Sequence, residues 1–198
     1  GLAILLAFPL MSAHHTPIGS RIHKGAGCLG SVEPLSAVWV IACSFDAFQR
    51  EAKSKGFGAD LLVAAGLAKA PEGKGLRDFF YGRLLFPICD AKGQITAFGG
   101  RALDEAMPKY LNSPETPVFS KSRTLFGLFQ ALPAVRKSRR VILVEGYMDA
   151  IACHQFGATE AVAPLGTALT VEHAAALGRY ATHAVVVFDA DAAGLSAA

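Results

Sequence analysis

Short-spaced cysteine pairs are missing from this sequence. Its four cysteines, Cys28, Cys43, Cys89 and Cys153, form no C-x-x-C, which excludes a zinc ribbon and a thioredoxin-like redox site. Isolated cysteines of this kind read as small buried hydrophobes in a reducing compartment, so a cytoplasmic location is expected. Also missing is an apolar run of the roughly 18–20 residues that cross a bilayer. Residues 1–11 (GLAILLAFPLM) resemble the apolar part of a signal peptide but lack a basic segment before them. They read as the start of a fragment, and no membrane partner is expected. Charge is sparse as well, at 18% of residues against 52% hydrophobic. That balance excludes a disordered tail and supplies a core for one compact domain or two small ones.

The charge that is present is unevenly placed. The formal net charge is +3, yet residues 77–140 carry 11 Lys/Arg against 5 Asp/Glu, and residues 141–198 carry 1 against 6. A basic middle (+6) joined to an acidic end (−5) favours a polyanionic partner.

Residues 1–44 show no regular period, and His14–His15 has no further ligands at metal spacing. From Ser44 onward Phe45, Phe48 and Ala52 recur at helical spacing, with Gly56 as the stop. A second short helix is expected over 59–65, closed by Gly66. Residues 83–90 and 94–101 flank Asp90-Ala91-Lys92-Gly93 and predict a hairpin. Residues 107–123 carry Pro108, Pro114 and Pro117, which exclude a continuous helix and predict a long polar loop. A short helix is expected near 125–132, and the basic patch 136–140 reads as a solvated surface. Beyond Val141 the pattern is strand (141–144), helix (147–156), strand (159–163), helix (170–180, Thr170 as N-cap) and strand (184–188). Such alternation predicts a parallel sheet with right-handed crossovers.

In a parallel sheet, functional groups gather beyond the carboxyl ends of the strands. Glu145 directly follows the strand VILV and Asp189 follows AVVVF, so both acids emerge on one edge. Asp191 can point to the same side. Converging carboxylates repel one another unless a cation lies between them, and hard oxygen ligands suit magnesium. Each acid also has a plainer reading, because Asp at a strand-to-helix junction caps the helix that follows.

These residues carry a recognisable pattern. VEGYMDA at 144–150, APLGTALT at 163–170 and VFDADAAG at 187–194 resemble the signatures of the TOPRIM domain. RLLFPICDAKGQITAFGGR at 83–101, PKYLNSPET at 108–116 and FSKSRTLFGL at 119–128 resemble the catalytic core of bacterial DnaG-type primases. The resemblance runs from about Phe45 to Ala198. It implies an α/β fold: a mixed α+β basic subdomain over 45–140 and a TOPRIM-type parallel sheet over 141–198, incomplete at its C-terminus, with 1–44 unassigned.

The same resemblance implies the activity and the site. Short RNA primers would be made on single-stranded DNA from ribonucleoside triphosphates, beside a replicative helicase as partner. Glu145, Asp189 and Asp191 would be catalytic and would hold magnesium, or manganese in its place, with Asp149 as a further acidic position. Arg83, Arg101, Lys109, Tyr110, Asn112 and Lys121 would form the basic groove for template or nucleotide. Zinc is not expected, because the family's zinc-binding module is not found in this chain. Asp78-Phe79-Phe80-Tyr81 stands where the family has an Arg-rich approach to the hairpin. An apolar sheet edge left unpaired after residue 188 is also expected, at a cost in stability. Two other classes stay open: a DNA-cleaving topoisomerase or nuclease built on TOPRIM, and an inactive fragment that only binds single strands.

Overall fold

The computed structural model describes residues 39–40, 47–73 and 75–189. His14, His15, Cys28, Cys43 and Asp191 lie outside the described residues.

The first half is built around the expected hairpin. β4 (Arg83–Cys89) and β5 (Ile95–Ala102) pair antiparallel, with a register shift between Ile88 and Cys89. Their turn closes as the sequence predicts: the Gly93 N–H donates to the Asp90 carbonyl at 3.0 Å, and Gly93 has φ +83°. The Asp90 carboxylate also accepts the N–H groups of Lys92 and Gln94. Pro87 is tolerated inside β4 for a geometric reason. Its partner Phe98 turns its own N–H and C=O towards Ser113, so this pair carries no ladder bonds, and the missing donor of Pro87 faces away from β5.

β1 (Trp39–Val40) pairs with β4, and β6 (Tyr110–Asn112) pairs with β5. β6 departs from the sequence expectation, which gave 107–123 as loop throughout. Its three residues sit between Pro108 and Pro114 and gain their order from pairing with Gly99–Arg101, which no local pattern reveals.

α1 (Ala47–Ser54) and α2 (Ala59–Ala64) pack beside the small antiparallel pair β2 (Ala68–Lys69) and β3 (Arg77–Asp78). Gly56 and Gly66 follow them with φ +83° and +69°, as the sequence led one to expect. Asp78, 2% exposed, caps α1 from a distance: its carboxylate accepts the Phe48 and Gln49 N–H groups at 2.9 and 3.2 Å. Asp78 therefore has a structural task.

α3 spans Leu128–Ser138. It begins and ends later than the 125–132 expected, because Leu125 and Phe126 are taken up by an isolated bridge from Phe126 to Ala163 and by the core. The helix also runs on through Pro133 into the basic patch.

The second half is the predicted parallel sheet, in the order β8 (Ala161–Val162), β7 (Arg140–Val144), β9 (His183–Val187). α4 (Tyr147–Gln155) connects β7 to β8, and α5 (Val171–Leu177) connects β8 to β9. Thr170 caps α5 as read, its hydroxyl accepting the His173 N–H at 3.1 Å. Among the described residues β9 is an edge strand, with Val185, Val186 and Val187 each between 43% and 55% exposed. No helix among the described residues is long and apolar enough to cross a membrane.

The two halves share buried surface across residue 141. One hydrophobic cluster joins Phe86, Ile88 and Phe126 to Val144, Tyr147 and Leu165. Another joins α3 to β7, β8 and α5. The carboxyl edge of the parallel sheet is thereby held against the antiparallel sheet.

Candidate functional site

Three chain segments leave the carboxyl edge of the parallel sheet: Glu145 after β7, residues 163–170 after β8, and Asp189 after β9. Because β7 and β9 are parallel neighbours with Val144 opposite Val187, Glu145 and Asp189 come out side by side. The Asp189 N–H donates to Glu145 Oε2 at 3.3 Å. Both acids are exposed, and neither forms an ion pair among the described residues. Two uncompensated carboxylates on one edge fit a hard divalent cation by charge and by donor type. No cluster of three or more ligating side chains occurs among the described residues. Asp149, at the third position of α4, has one oxygen committed: its Oδ2 accepts the Gly146 N–H at 3.0 Å and fixes the turn that follows Glu145.

The antiparallel sheet meets this edge through β5 and β6. Directly opposed residues of an antiparallel pair share a face. The pairs Gly99–Asn112 and Arg101–Tyr110 therefore put Arg101, Tyr110 and Asn112 on the face that meets α4. That contact centres on Tyr147, which is 5% exposed. Its ring lies over Gly99, so close that a Cβ there would sit 2.9 Å from Cζ. The Tyr110 ring meets it in a T-shaped contact at 5.8 Å between centroids. Burial pushes the Tyr147 hydroxyl up, and Tyr110 adds to the shift.

Asn112 fastens β6 to the glycine loop: its Nδ2 donates to the Leu165 carbonyl at 2.7 Å, beside Gly166 at φ +72°. Asn112 Oδ1 and Arg101 Nε are buried and lack a hydrogen-bond partner among the described residues. Tyr110 is 41% exposed, and the side chain of Lys109 is exposed.

Arg83 is a buried side chain. It is 6% exposed, and its Nη1 donates to the Pro108 and Lys109 carbonyls at 2.8 and 3.4 Å. Burial lowers its pKa, against the pull of Asp104. Its contacts are thus to the backbone that leads into β6 and carries Lys109.

Lys121 lies on a second loop fixed to the same edge. Its N–H donates to Glu115 Oε1 at 3.0 Å, and this bond holds the Glu115 carboxyl below the usual range. The patch 136–140 is exposed throughout, in line with the surface reading, and its three arginines also make structural contacts. Arg140 pairs with Glu160 at 3.1 Å, Arg139 donates to the Tyr180 carbonyl, and Arg136 lies over the Tyr180 ring.

Sequence reasoning passed over Tyr147, Gly99 and His173. The Gly99-Gly100 doublet was the available signal, since both residues admit close neighbours: Tyr147 over Gly99 and Phe80 against Gly100. For His173 the signal was its place three residues after the N-cap Thr170.

Residues 41–132 match the family described as DNA primase catalytic core, N-terminal domain, and residues 142–198 match a Toprim-like family. The DNA primase of Deinococcus radiodurans is 46% identical over 155 residues, covering 77% of this chain and 27% of that protein. The DNA primase of Clostridium acetobutylicum is 48% identical over 145 residues, covering 73% and 24%. The chain thus spans about a quarter of the length of these relatives. Among solved structures, the RNA polymerase domain of Mycobacterium tuberculosis primase DnaG superposes with a TM-score of 0.76 at 36% identity, covering 82% of this chain and 55% of that one. A DnaG primase catalytic domain bound to single-stranded DNA gives 0.75 at 36%, covering 82% and 50%.

Proposed function

Since the chain belongs to the DnaG-type DNA primases, we propose that it synthesises RNA primers on single-stranded DNA by nucleotidyl transfer. The observation that carries the proposal is the docking of β6, which follows directly on Lys109, on the sheet edge where Glu145 and Asp189 emerge side by side. In the reaction a ribose 3′-hydroxyl attacks the α-phosphate of an incoming ribonucleoside triphosphate. The new bond joins that oxygen to phosphorus, the bond to the β-phosphate oxygen breaks, and pyrophosphate leaves while the hydroxyl proton passes to solvent.

Glu145, Asp189 and Asp191 would hold magnesium, or manganese in its place. When bound there, such a cation would supply charge that lowers the pKa of the attacking hydroxyl and offsets the charge of the departing pyrophosphate. Asp149 holds the Gly146 turn and so the direction in which Glu145 leaves β7. Arg101, Lys109 and Lys121 neutralise phosphates of template or triphosphate without reading bases, which suits an enzyme that moves over many sequences. The open face of Tyr110 offers a stacking platform for a base. Positioning by these groups supplies proximity more than chemistry. A replicative helicase is the protein partner that family membership implies.

Glu145→Gln keeps the side chain's size and removes its charge. It is expected to abolish template-directed ribonucleotide incorporation while single-stranded DNA binding stays within a few-fold of the parent. Incorporation that survives the change would remove Glu145 from the catalytic set.

A further inference from the structure

The imidazole of His173 is fully buried, at 0% exposure, and none of the chemistry above uses it. Its hydrogen bonds give its tautomer. Nδ1 accepts the Thr170 N–H at 3.3 Å, so the ring proton is on Nε2. That N–H is shared between the Lys121 carbonyl at 2.9 Å and the Thr124 carbonyl at 3.2 Å. Thr170 adds a parallel tie, its hydroxyl donating to the Ser122 carbonyl at 2.6 Å.

Three carbonyls of residues 121–124 are thus fastened to the start of α5, far along the chain. At Lys121 the peptide is held from both sides, by Glu115 at its N–H and by His173 at its carbonyl. An apolar residue at 173 could fill the volume, but it would leave the carbonyls of Lys121 and Thr124 without this donor.

We propose that His173 is a positioning residue: its Nε2–H holds the Lys121–Thr124 loop on the sheet edge so that Lys121 meets a phosphate of the bound strand. The proposal rests on the reading of Lys121 as a phosphate contact. Two amide replacements separate the ring's two tasks. In His173→Gln the amide nitrogen reaches the place of Nε2 and keeps a donor for the loop. In His173→Asn the amide oxygen takes the place of Nδ1, keeping the Thr170 bond but losing reach to Lys121.

The test measures binding of a fluorescent single-stranded oligonucleotide to the full chain across a sodium chloride series. Lys121→Ala should lower the slope of log affinity against log salt by about one phosphate contact. His173→Asn should lower the slope by a similar amount and weaken binding by about three- to tenfold. His173→Gln should stay close to the parent, and His173→Asn added to Lys121→Ala should change affinity by less than about twofold. A role confined to capping α5 predicts the reverse order of Asn and Gln. That order, or a parental slope for both, overturns the proposal even if melting temperatures fall. Should Lys121→Ala itself leave the slope unchanged, the phosphate role of Lys121 fails first and the inference falls with it.

Discussion

Gly99 shows how a single missing side chain places the two halves of the site. A Cβ at this position would meet Cζ, Cε2 and Oη of Tyr147 at 2.9–3.0 Å. The ring cannot turn aside freely, because Phe86 and Phe126 press on it at centroid distances of 5.7 and 5.1 Å. Gly99→Ala should therefore cost about 1–3 kcal/mol of stability, as overpacking of a tight core does. It should also part β5 and β6 from α4 and carry Tyr110 and Asn112 with them. Gly75→Ala is the matched control, since nothing lies within 4 Å of its added carbon. Urea denaturation of the two variants checks this, and equal midpoints would mean that the Gly99–Tyr147 contact does not carry the junction. At this scale the acids were readable from sequence because an acid directly after an apolar strand has one edge to emerge on. Tyr147 was not readable, since its partner lies on a strand far upstream.

Elements were legible where the signal is local and lost where it is not. The hairpin announced itself through Asp90 and Gly93, and α5 through Thr170, because turn and cap chemistry reside within four residues. β6 had no such signal, and α3 was displaced because Leu125 and Phe126 serve the core and the Ala163 bridge instead. The tie between α4 and β8 is another non-local feature: His154 Nε2–H donates to the Ala161 carbonyl at 2.9 Å. Burial lowers the His154 pKa, opposed by that bond and by Glu160. A group whose folded pKa lies below its unfolded value of about 6.5 binds fewer protons in the native state. Its contribution is therefore present above about pH 6.5 and is lost as pH falls through the folded value. The melting temperature should decline between about pH 7.5 and pH 5.5, and His154→Gln, which cannot titrate, should flatten that decline. Glu160 is also held low, but from the lower carboxylate range, so its effect belongs to more acid conditions. An unchanged slope in His154→Gln would assign the pH dependence to another group.

For the molecule as a whole, the division of charge at residue 141 acquires a spatial meaning. Among the described residues, the basic segment from 77 to 140 and the part of the acidic segment from 141 to 189 are not separate lobes, because their hydrophobic residues share cores and Asn112 reaches across to the glycine loop. Glu145 and Asp189 thus stand at the same edge as the groups proposed to hold DNA, and without a cation their charges oppose a phosphate backbone. The consequence is measurable when divalent ions are removed. In EDTA, Glu145→Gln combined with Asp189→Asn should tighten single-stranded DNA binding by about two- to fivefold, the scale expected for relieving two exposed like charges in water. The effect should shrink as monovalent salt rises, because screening shortens the reach of exposed charges. With magnesium restored, the parent should recover most of the difference while the double variant changes little. Fluorescence anisotropy in both buffers gives the comparison. Weaker binding by the double variant in EDTA would mean that these acids support the DNA-binding surface rather than oppose it, and the strand would then have to run along a different face from the one β6 offers.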